Sequence, residues 1–222
     1  MNVSEIVRTR RAVRSFSDRP VKKEQVESVL RVAANAPSGS NIQPWHVYVM
    51  SGAFLDKALV EIRDKLYTGK LEAPEFPTYP EPLQEPYRTR RSECGERMYG
   101  ALNIAREDKS SRVKQVMKNY EFFGAPVGLI ITMEANMGES QALDIGIFAQ
   151  TVMLAAREQG LDTCPQVSWT LWPRAVKEAV GIPVDQKVML GMAMGYANSE
   201  EPVNRIEHPR EPVSSFAVFR GF

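Results

Sequence analysis

The 222-residue chain is poor in several features that would point to a particular class of protein. It has two cysteines, in neither a CxxC pair nor a disulfide-framework spacing, and two histidines, too few for a convincing metal site. Its net charge of +1 provides no broad field to attract nucleic acid or an acidic membrane surface. No window approaches the roughly 20 apolar residues of a membrane span, and the start lacks the apolar core of a signal peptide. We therefore expect a cytoplasmic globular protein that holds no metal and binds neither nucleic acid nor membrane.

Three common functional motifs are also missing. Without a G-x-S-x-G elbow, a serine triad would have to recruit His46 or His208, so nucleophilic hydrolysis is disfavoured. His46 lies in a strand-like run, which favours a structural role, and a lone histidine in a tail, such as His208, is seldom catalytic. There is no G-x-G-x-x-G and no G-x-x-x-x-G-K-[ST], so neither a Rossmann loop nor a P-loop is supported.

The hydrophobic pattern predicts one α+β domain over residues 1–222. Helices are expected from a cap at Asn2 to about residue 10 and over 21–36, 54–66, 88–105, 112–123 and 139–160, and strands over 45–50, 125–133 and 187–196. The irregular order favours a mixed or antiparallel sheet covered by helices. The longest helix, 139–160, is apolar nearly all round, which indicates a central helix or a subunit interface.

Residues 67–86 contain several prolines and scattered aromatics without any period. A loop of about 20 residues inside a compact domain is unusual, and the aromatics favour a functional lid over a linker. We expect a lid or substrate channel over about 67–105 and a proline-rich tail over about 200–222.

Four short segments could bind a ligand. "RTRRAVRSF" places Arg10, Arg11 and Arg14 at the end of the first helix, where they form either a phosphate clamp or a solvated helix end. "APSGSNIQPW" is too polar for a core connection. "GLDTCPQVSW" could present backbone N–H groups to a ligand, while its Cys164 is expected to be structural. "PVNRIEHPREPV" brings further arginines into the tail.

Taken together and in order, these segments resemble a known protein family. "RRAVRSF", "APSGSNIQPW", "NYEFFGAPVGLIIT", "GLDTCPQ" and "GMAMGY" followed by "PVNRIEHPREPV" resemble, in this order, the nitroreductase family of FMN-dependent oxidoreductases, which includes the iodotyrosine deiodinases. The resemblance implies a nitroreductase-like fold in an intertwined homodimer, with two FMN sites at the subunit interface and a tail that wraps the partner.

The resemblance also implies roles for individual residues. Arg10, Arg11 and Arg210 would grip the FMN phosphate, and Arg14 would lie by the flavin N1 and O2 edge. Ala12 and Val13 would contact FMN through their backbone, and the peptide of Pro165, Gln166 and Val167 would lie along flavin N5. The partner's flavin would be reached by Pro37, Ser38, Gly39 and Ser40.

The implied activity is reduction of a nitroaromatic acceptor to its nitroso and hydroxylamine products by NADH or NADPH, by ping-pong hydride transfer through flavin N5. Ser40, Phe122 and Phe123 are candidate substrate contacts, although a core role for the phenylalanine pair is equally open. A reductive dehalogenase, with Glu75 and Tyr79 in its lid, and a quinone or flavin reductase are alternatives. A non-catalytic flavin-binding module is a further one.

Overall fold

The computed structural model describes residues 2–68 and 72–222. Residue 1 of the predicted domain and positions 69–71 of the predicted loop lie outside the described residues. The elements are α1 (Val3–Thr9), α2 (Lys23–Ala33), β1 (His46–Ser51), α3 (Gly52–Thr68), α4 (Tyr87–Ala101), α5 (Lys109–Met117), β2 (Val127–Glu134), α6 (Glu139–Glu158), β3 (Asp162–Gln166), α7 (Pro173–Val180) and β4 (Gln186–Gly195). Short 3₁₀ helices occur at Gly39–Asn41, Lys118–Gly124, Val167–Leu171, Pro202–Asn204 and Val213–Ser215.

The described strands form one antiparallel sheet in the order β1-β2-β4-β3. β2 is an interior strand of the sheet. All of its residues except the last are buried, as the apolar sequence predicts. β3 lies at an edge. This position explains why a strand tolerates Pro165, which has no N–H to donate to a neighbour. The predicted α+β class with an antiparallel sheet is thus confirmed.

Successive side chains of β2 point to opposite faces of the sheet and are apolar on both, so helices pack on both faces. Leu129 and Ile131 pack on one face with Val29 of α2 and Val152 of α6. Ile130 points to the other face, where α3, α7 and the indole of Trp169 lie. The 20-residue α6 buries eight of its residues against this core, while Leu143 and Ile147 are exposed, so the prediction of a central helix or a subunit interface stays a prediction.

One predicted helix differs in detail, and two elements are not predicted from the sequence. The helix predicted over 112–123 is α5 followed by a 3₁₀ segment with φ of 45° at Phe122 and 54° at Phe123. Such left-handed backbone ends an α-helix. β3 was read as an irregular peptide, and α7 was not predicted, although Pro173 at its start and Gly181 at its end are typical helix boundaries.

The unusual backbone at Phe122 and Phe123 turns both rings inward. Phe122 is 0% exposed and stacks on Trp169 at 4.5 Å between ring centroids. A Cβ at Gly128 would stand 2.5 Å from the same ring, so the glycine makes room for it. Phe123 is buried as well. Both rings are therefore packed in the core of this chain, with no face of Phe122 exposed, and the predicted substrate contact of the pair stays a prediction.

No helix among the described residues is long and apolar enough to cross a lipid bilayer. Within the same residues, no group of three or more histidine, cysteine, aspartate and glutamate side chains is placed to hold a metal ion.

Candidate functional site

A cavity of about 870 Å³ lies between the end of α1, one face of α4 and the segment 203–211. Its wall contains seven arginines and three glutamates. Four of the arginines, Arg10, Arg11, Arg14 and Arg210, are those predicted from the sequence, and they come from opposite ends of the chain. The fold therefore brings the two predicted cationic segments to one site.

The first arginine segment is held in place by the edge strand. The N–H of Val13 donates to the carbonyl of Thr163 over 3.0 Å, and Ala12 forms a parallel bridge to the same residue. Arg10, Arg11 and Arg14 are thereby fixed beside β3. This hydrogen bond occupies the N–H of Val13, and Val13 is only 2% exposed. Its N–H is therefore not available to bind a ligand. Ala12 remains at the cavity wall.

Asn204 links this segment to the tail. Its side-chain Oδ1 accepts the N–H of Arg14 over 2.8 Å, and its Nδ2 donates to the carbonyls of Ser15 and Asn198. The carbonyl of Asn204 also accepts from Arg11 Nη1 at 3.4 Å. The role of Asn204 cannot be predicted from its own segment, because it depends on a partner 190 positions away.

The electrostatics of the cavity favour an anion. Burial lowers the pKa of Arg10, and the nearby Arg210 lowers it further. Burial also lowers the pKa of His208, with added contributions from Arg14, Arg210 and Arg97. Cations that crowd together in this way disfavour any further positive charge. A bound anion would relieve the repulsion.

The peptide after β3 has a fixed side and an open side. Gln166 is 2% exposed, and its Nε2 donates to the carbonyl of Asn119 over 2.6 Å. Val167 begins the next 3₁₀ helix and is 37% exposed. Pro165 has no N–H to offer. Burial raises the pKa of Cys164 to about 11 in spite of Arg14 and Arg10 nearby, so its thiol is not a nucleophile here.

The polar loop of Pro37 to Ser40 lies elsewhere on the chain. The N–H of Gly39 donates to Oδ1 of the buried Asp144 on α6 over 3.1 Å, and Ser38 Oγ accepts the N–H of Gln43. Ser40 has φ of 52°, a left-handed conformation that is uncommon without glycine. None of these loop residues lines the arginine cavity. A single chain therefore does not unite all the predicted site residues.

The part of the predicted lid that begins at residue 72 packs against α7. Carboxylate oxygens of Glu72 accept the N–H groups of Arg174 and Ala175 at the start of α7, and Glu75 pairs with Lys177 at 2.7 Å. Tyr79 lies under the guanidinium of Arg91. Neither Glu75 nor Tyr79 lines the cavity, so the pair invoked for a dehalogenase lid is not placed to grip a substrate there.

The helical part of the lid contributes cavity residues that were not predicted. Arg90, Cys94 and Arg97 of α4 line the wall. Their spacing of four and three residues places them on one helical face, and this spacing is the signal that could have found them. Arg90 pairs with Glu211 in the tail at 3.1 Å.

The fold and the cavity define an α+β protein with a cationic cleft for small anionic ligands. The nitroreductase family model matches residues 7–196, and the chain belongs to that family.

Individual relatives match over nearly the whole chain. A nitrobenzene nitroreductase of Ectopseudomonas oleovorans is 37% identical over 98% of this chain and 96% of its own. A 4-nitrobenzoate reductase of Nocardioides sp. (strain LMS-CY) is 40% identical over 96% of this chain and 88% of its own. The crystal structure of an FMN- and NADPH-dependent nitroreductase from Sphigopyxis sp. strain HMH superposes with a TM-score of 0.97, at 37% identity and 100% coverage of both chains.

Proposed function

We propose that the chain is an FMN-dependent nitroreductase that uses NAD(P)H to reduce nitroaromatic compounds. The observation that carries the proposal is the meeting of Arg10, Arg11 and Arg14 with Arg210 in one cavity, in a chain whose relatives are nitrobenzene and nitrobenzoate reductases.

The residues present fit FMN. Three guanidiniums, those of Arg10, Arg11 and Arg210, suit a phosphate monoester with two negative charges, and the pKa of Arg10 is lowered first by burial and then by the nearby Arg210. Arg14 would lie at the flavin N1 and O2 edge, where it would stabilise negative charge that develops on reduction. The neighbouring segment of Pro165, Gln166 and Val167 would border N5. When bound, FMN accepts a hydride and delivers electrons in pairs, which the side chains alone cannot do.

A second copy of the chain would complete the site. The loop with Ser38, Gly39 and Ser40 is held in a strained conformation, yet it lies away from the cavity of its own chain. Apolar side chains of α6 and the tail are exposed, among them Leu143, Ile147, Phe216, Val218, Phe219 and Phe222. An exposed apolar surface of this kind marks an interaction site. In a homodimer, α6 and the tail would be covered and the loop would reach the partner's cavity, with Ser40 near the acceptor.

The acceptor is a flat nitroarene. It would lie against the bound flavin and would need no side-chain nucleophile. In accordance with this, Cys164 is a buried thiol with a high pKa and is not a nucleophile.

An anaerobic stopped-flow experiment tests the function. The FMN-loaded protein is mixed with NADPH or NADH and then with nitrobenzene or 4-nitrobenzoate. Bleaching of the yellow colour by the nicotinamide and its return with the nitro compound are expected. Recovery with oxygen or a halogenated phenol alone would show that the acceptor is wrong, and failure to take up FMN would overturn the proposal.

A further inference from the structure

The cavity has more positive charge than FMN requires. Arg10, Arg11 and Arg210 suffice for the phosphate, and Arg14 is assigned to the flavin edge. Of the remaining three arginines, Arg8 donates through Nε to the Ser4 carbonyl on its own helix. Arg90 pairs with Glu211. The third is Arg97.

Arg97 differs from Arg8 and Arg90 because it has no bonded partner in the described part of the chain, although Glu93, one turn earlier on α4, lines the same wall. Among the described residues it makes no hydrogen bond or ion pair, whereas Arg90, on the same face of α4, has a carboxylate partner. It also lies close enough to His208 to disfavour a positive charge there, in company with Arg14 and Arg210. An unpaired guanidinium in a cavity wall beside other cations is arranged for an anionic oxygen group.

We propose that Arg97 forms a second anion subsite in this cavity, one that takes the carboxylate or phosphate group of the small-molecule redox partner. The inference rests on the proposed function. The anionic group has two possible sources, a carboxylate on the aromatic acceptor and the 2′-phosphate of NADPH, which share the same chemistry toward a guanidinium.

The first test measures binding to the FMN-loaded protein, without turnover. Benzoate and benzamide have nearly the same shape and differ in charge, and each is titrated while the flavin absorbance is followed. In the acceptor case Arg97→Gln weakens benzoate binding about tenfold, since a hydrogen bond to a charged group is lost, and leaves benzamide binding unchanged. Arg97→Lys restores part of the affinity, because it keeps the charge and loses the planar fork.

The second test separates the two sources by kinetics. If the acceptor supplies the anion, Arg97→Gln lowers kcat/KM for 4-nitrobenzoate relative to 4-nitrobenzamide and changes NADPH and NADH use equally. If NADPH supplies it, the variant raises KM for NADPH relative to NADH and leaves the ratio between the two acceptors as it was. Either result supports an anion subsite at Arg97.

The control is Arg91→Gln on the same helix. Arg91 lies over the ring of Tyr79 at 4.4 Å and is not part of the cavity wall, so its loss changes net charge without removing the subsite. The inference is overturned if both variants act alike, if neither acts, or if Arg97→Gln weakens FMN binding alone, which would make Arg97 part of the phosphate clamp. A protein that binds FMN and is bleached by NADPH still supports the proposed function in each of these cases.

Discussion

The backbone N–H of Arg14 donates to Oδ1 of Asn204 over 2.8 Å, although the two residues are 190 positions apart. The same amide donates through Nδ2 to the carbonyls of Ser15 at 2.7 Å and Asn198 at 2.8 Å. Asn204 is 9% exposed, so these bonds form in a largely dry setting where unmade bonds are costly. One side chain thereby joins the first arginine segment to the tail that carries Arg210.

Replacement of Asn204 should therefore damage the phosphate site without touching any arginine. Asn204→Leu leaves the Arg14 N–H unpaired and removes one of two donors from each of the Ser15 and Asn198 carbonyls, so we expect a loss of about 2 kcal/mol in unfolding free energy and about tenfold in FMN affinity. Asn204→Asp keeps the acceptor for Arg14 and should fall between. The measurements are urea unfolding and FMN fluorescence titration. Asn35→Leu, at an exposed amide that bonds to its own helix, is the control. Unchanged FMN affinity in the Asn204→Leu protein would contradict the linking role.

Arg14 should act on flavin reduction more than on flavin binding. Its guanidinium is assigned to the edge that gains negative charge, so Arg14→Ala is expected to slow bleaching by NADPH about 100-fold while FMN affinity falls much less. Rapid-mixing kinetics and FMN titration on one preparation give both values. Arg19→Ala, at a guanidinium that stacks on Tyr196 at 3.8 Å, is the matched control. Equal losses in rate and affinity, or a loss of affinity alone, would remove the role assigned to Arg14.

The packing around Trp169 gives a prediction about stability. A Cβ at Gly191 would stand 1.9 Å from Trp169 Cδ1, and the indole cannot retreat because Phe122 stacks on it and Tyr120 meets it edge-on at 5.4 Å. We expect Gly191→Ala to cost about 3 kcal/mol by overpacking, read as a lower midpoint of urea unfolding. Gly95→Ala on α4, where a Cβ meets nothing within 4 Å, should be neutral or stabilising by up to about 1 kcal/mol. Equal stability of the two variants would contradict the packing argument.

The parts of the fold that sequence could predict are those fixed by local signals. Asn2 caps α1 through a hydrogen bond from the Glu5 N–H, and the apolar run of β2 forms a strand buried in the sheet. β3 could not be predicted because Pro165 breaks the strand pattern. A proline is tolerated there only because β3 lies at the edge of the sheet. The rings of Phe122 and Phe123 point into the core because both residues have positive φ angles, which no local sequence pattern predicts.

Some residues of the candidate site could likewise be predicted from local sequence, and others could not. The arginines at 10, 11 and 14 form a motif that can be recognised in isolation, and the cavity contains them. Asn204 could not be assigned, because it acts on distant backbone groups. The spacing of Arg97 with Arg90 and Cys94 indicates a shared helical face, but only the docking of α4 brings that face to the site. The loop at Gly39 is recognisable by sequence, yet its packing on Asp144 gives no contact with the cavity of the same chain.

The two cysteines should differ sharply in reactivity. Cys164 is buried with a pKa of about 11, so a negligible fraction is thiolate near pH 8, whereas Cys94 is exposed on the cavity wall. A disulfide exchange reagent should therefore titrate one thiol in the folded protein and two in denaturant. Bound FMN should slow the reaction of Cys94, because it fills the same cavity. Reaction of both thiols at equal rates in the folded protein would contradict this assignment, and Cys94→Ser identifies the fast one.

His208 should make both stability and FMN binding depend on pH. Burial, Arg14, Arg210 and Arg97 lower its pKa in the folded protein below the unfolded value of about 6.5. The neutral form is thus favoured by folding, so this contribution to stability is present above about pH 6.5 and is lost as the pH falls toward the folded pKa. The apoprotein should lose stability between about pH 7 and 5 more steeply than a His208→Gln variant.

A phosphate bound among the same arginines offsets their charge and raises the pKa of His208, so the protein takes up a fraction of a proton when FMN binds below about pH 6.5. Calorimetric titration in two buffers of different ionisation enthalpy measures that uptake. The phosphate of FMN itself titrates near this pH, so the difference in proton uptake between wild type and His208→Gln measures the coupled titration of the histidine and the phosphate. Identical proton uptake in the two would mean that His208 does not sense the anion, and that the phosphate lies farther from it than the arginines that now surround it.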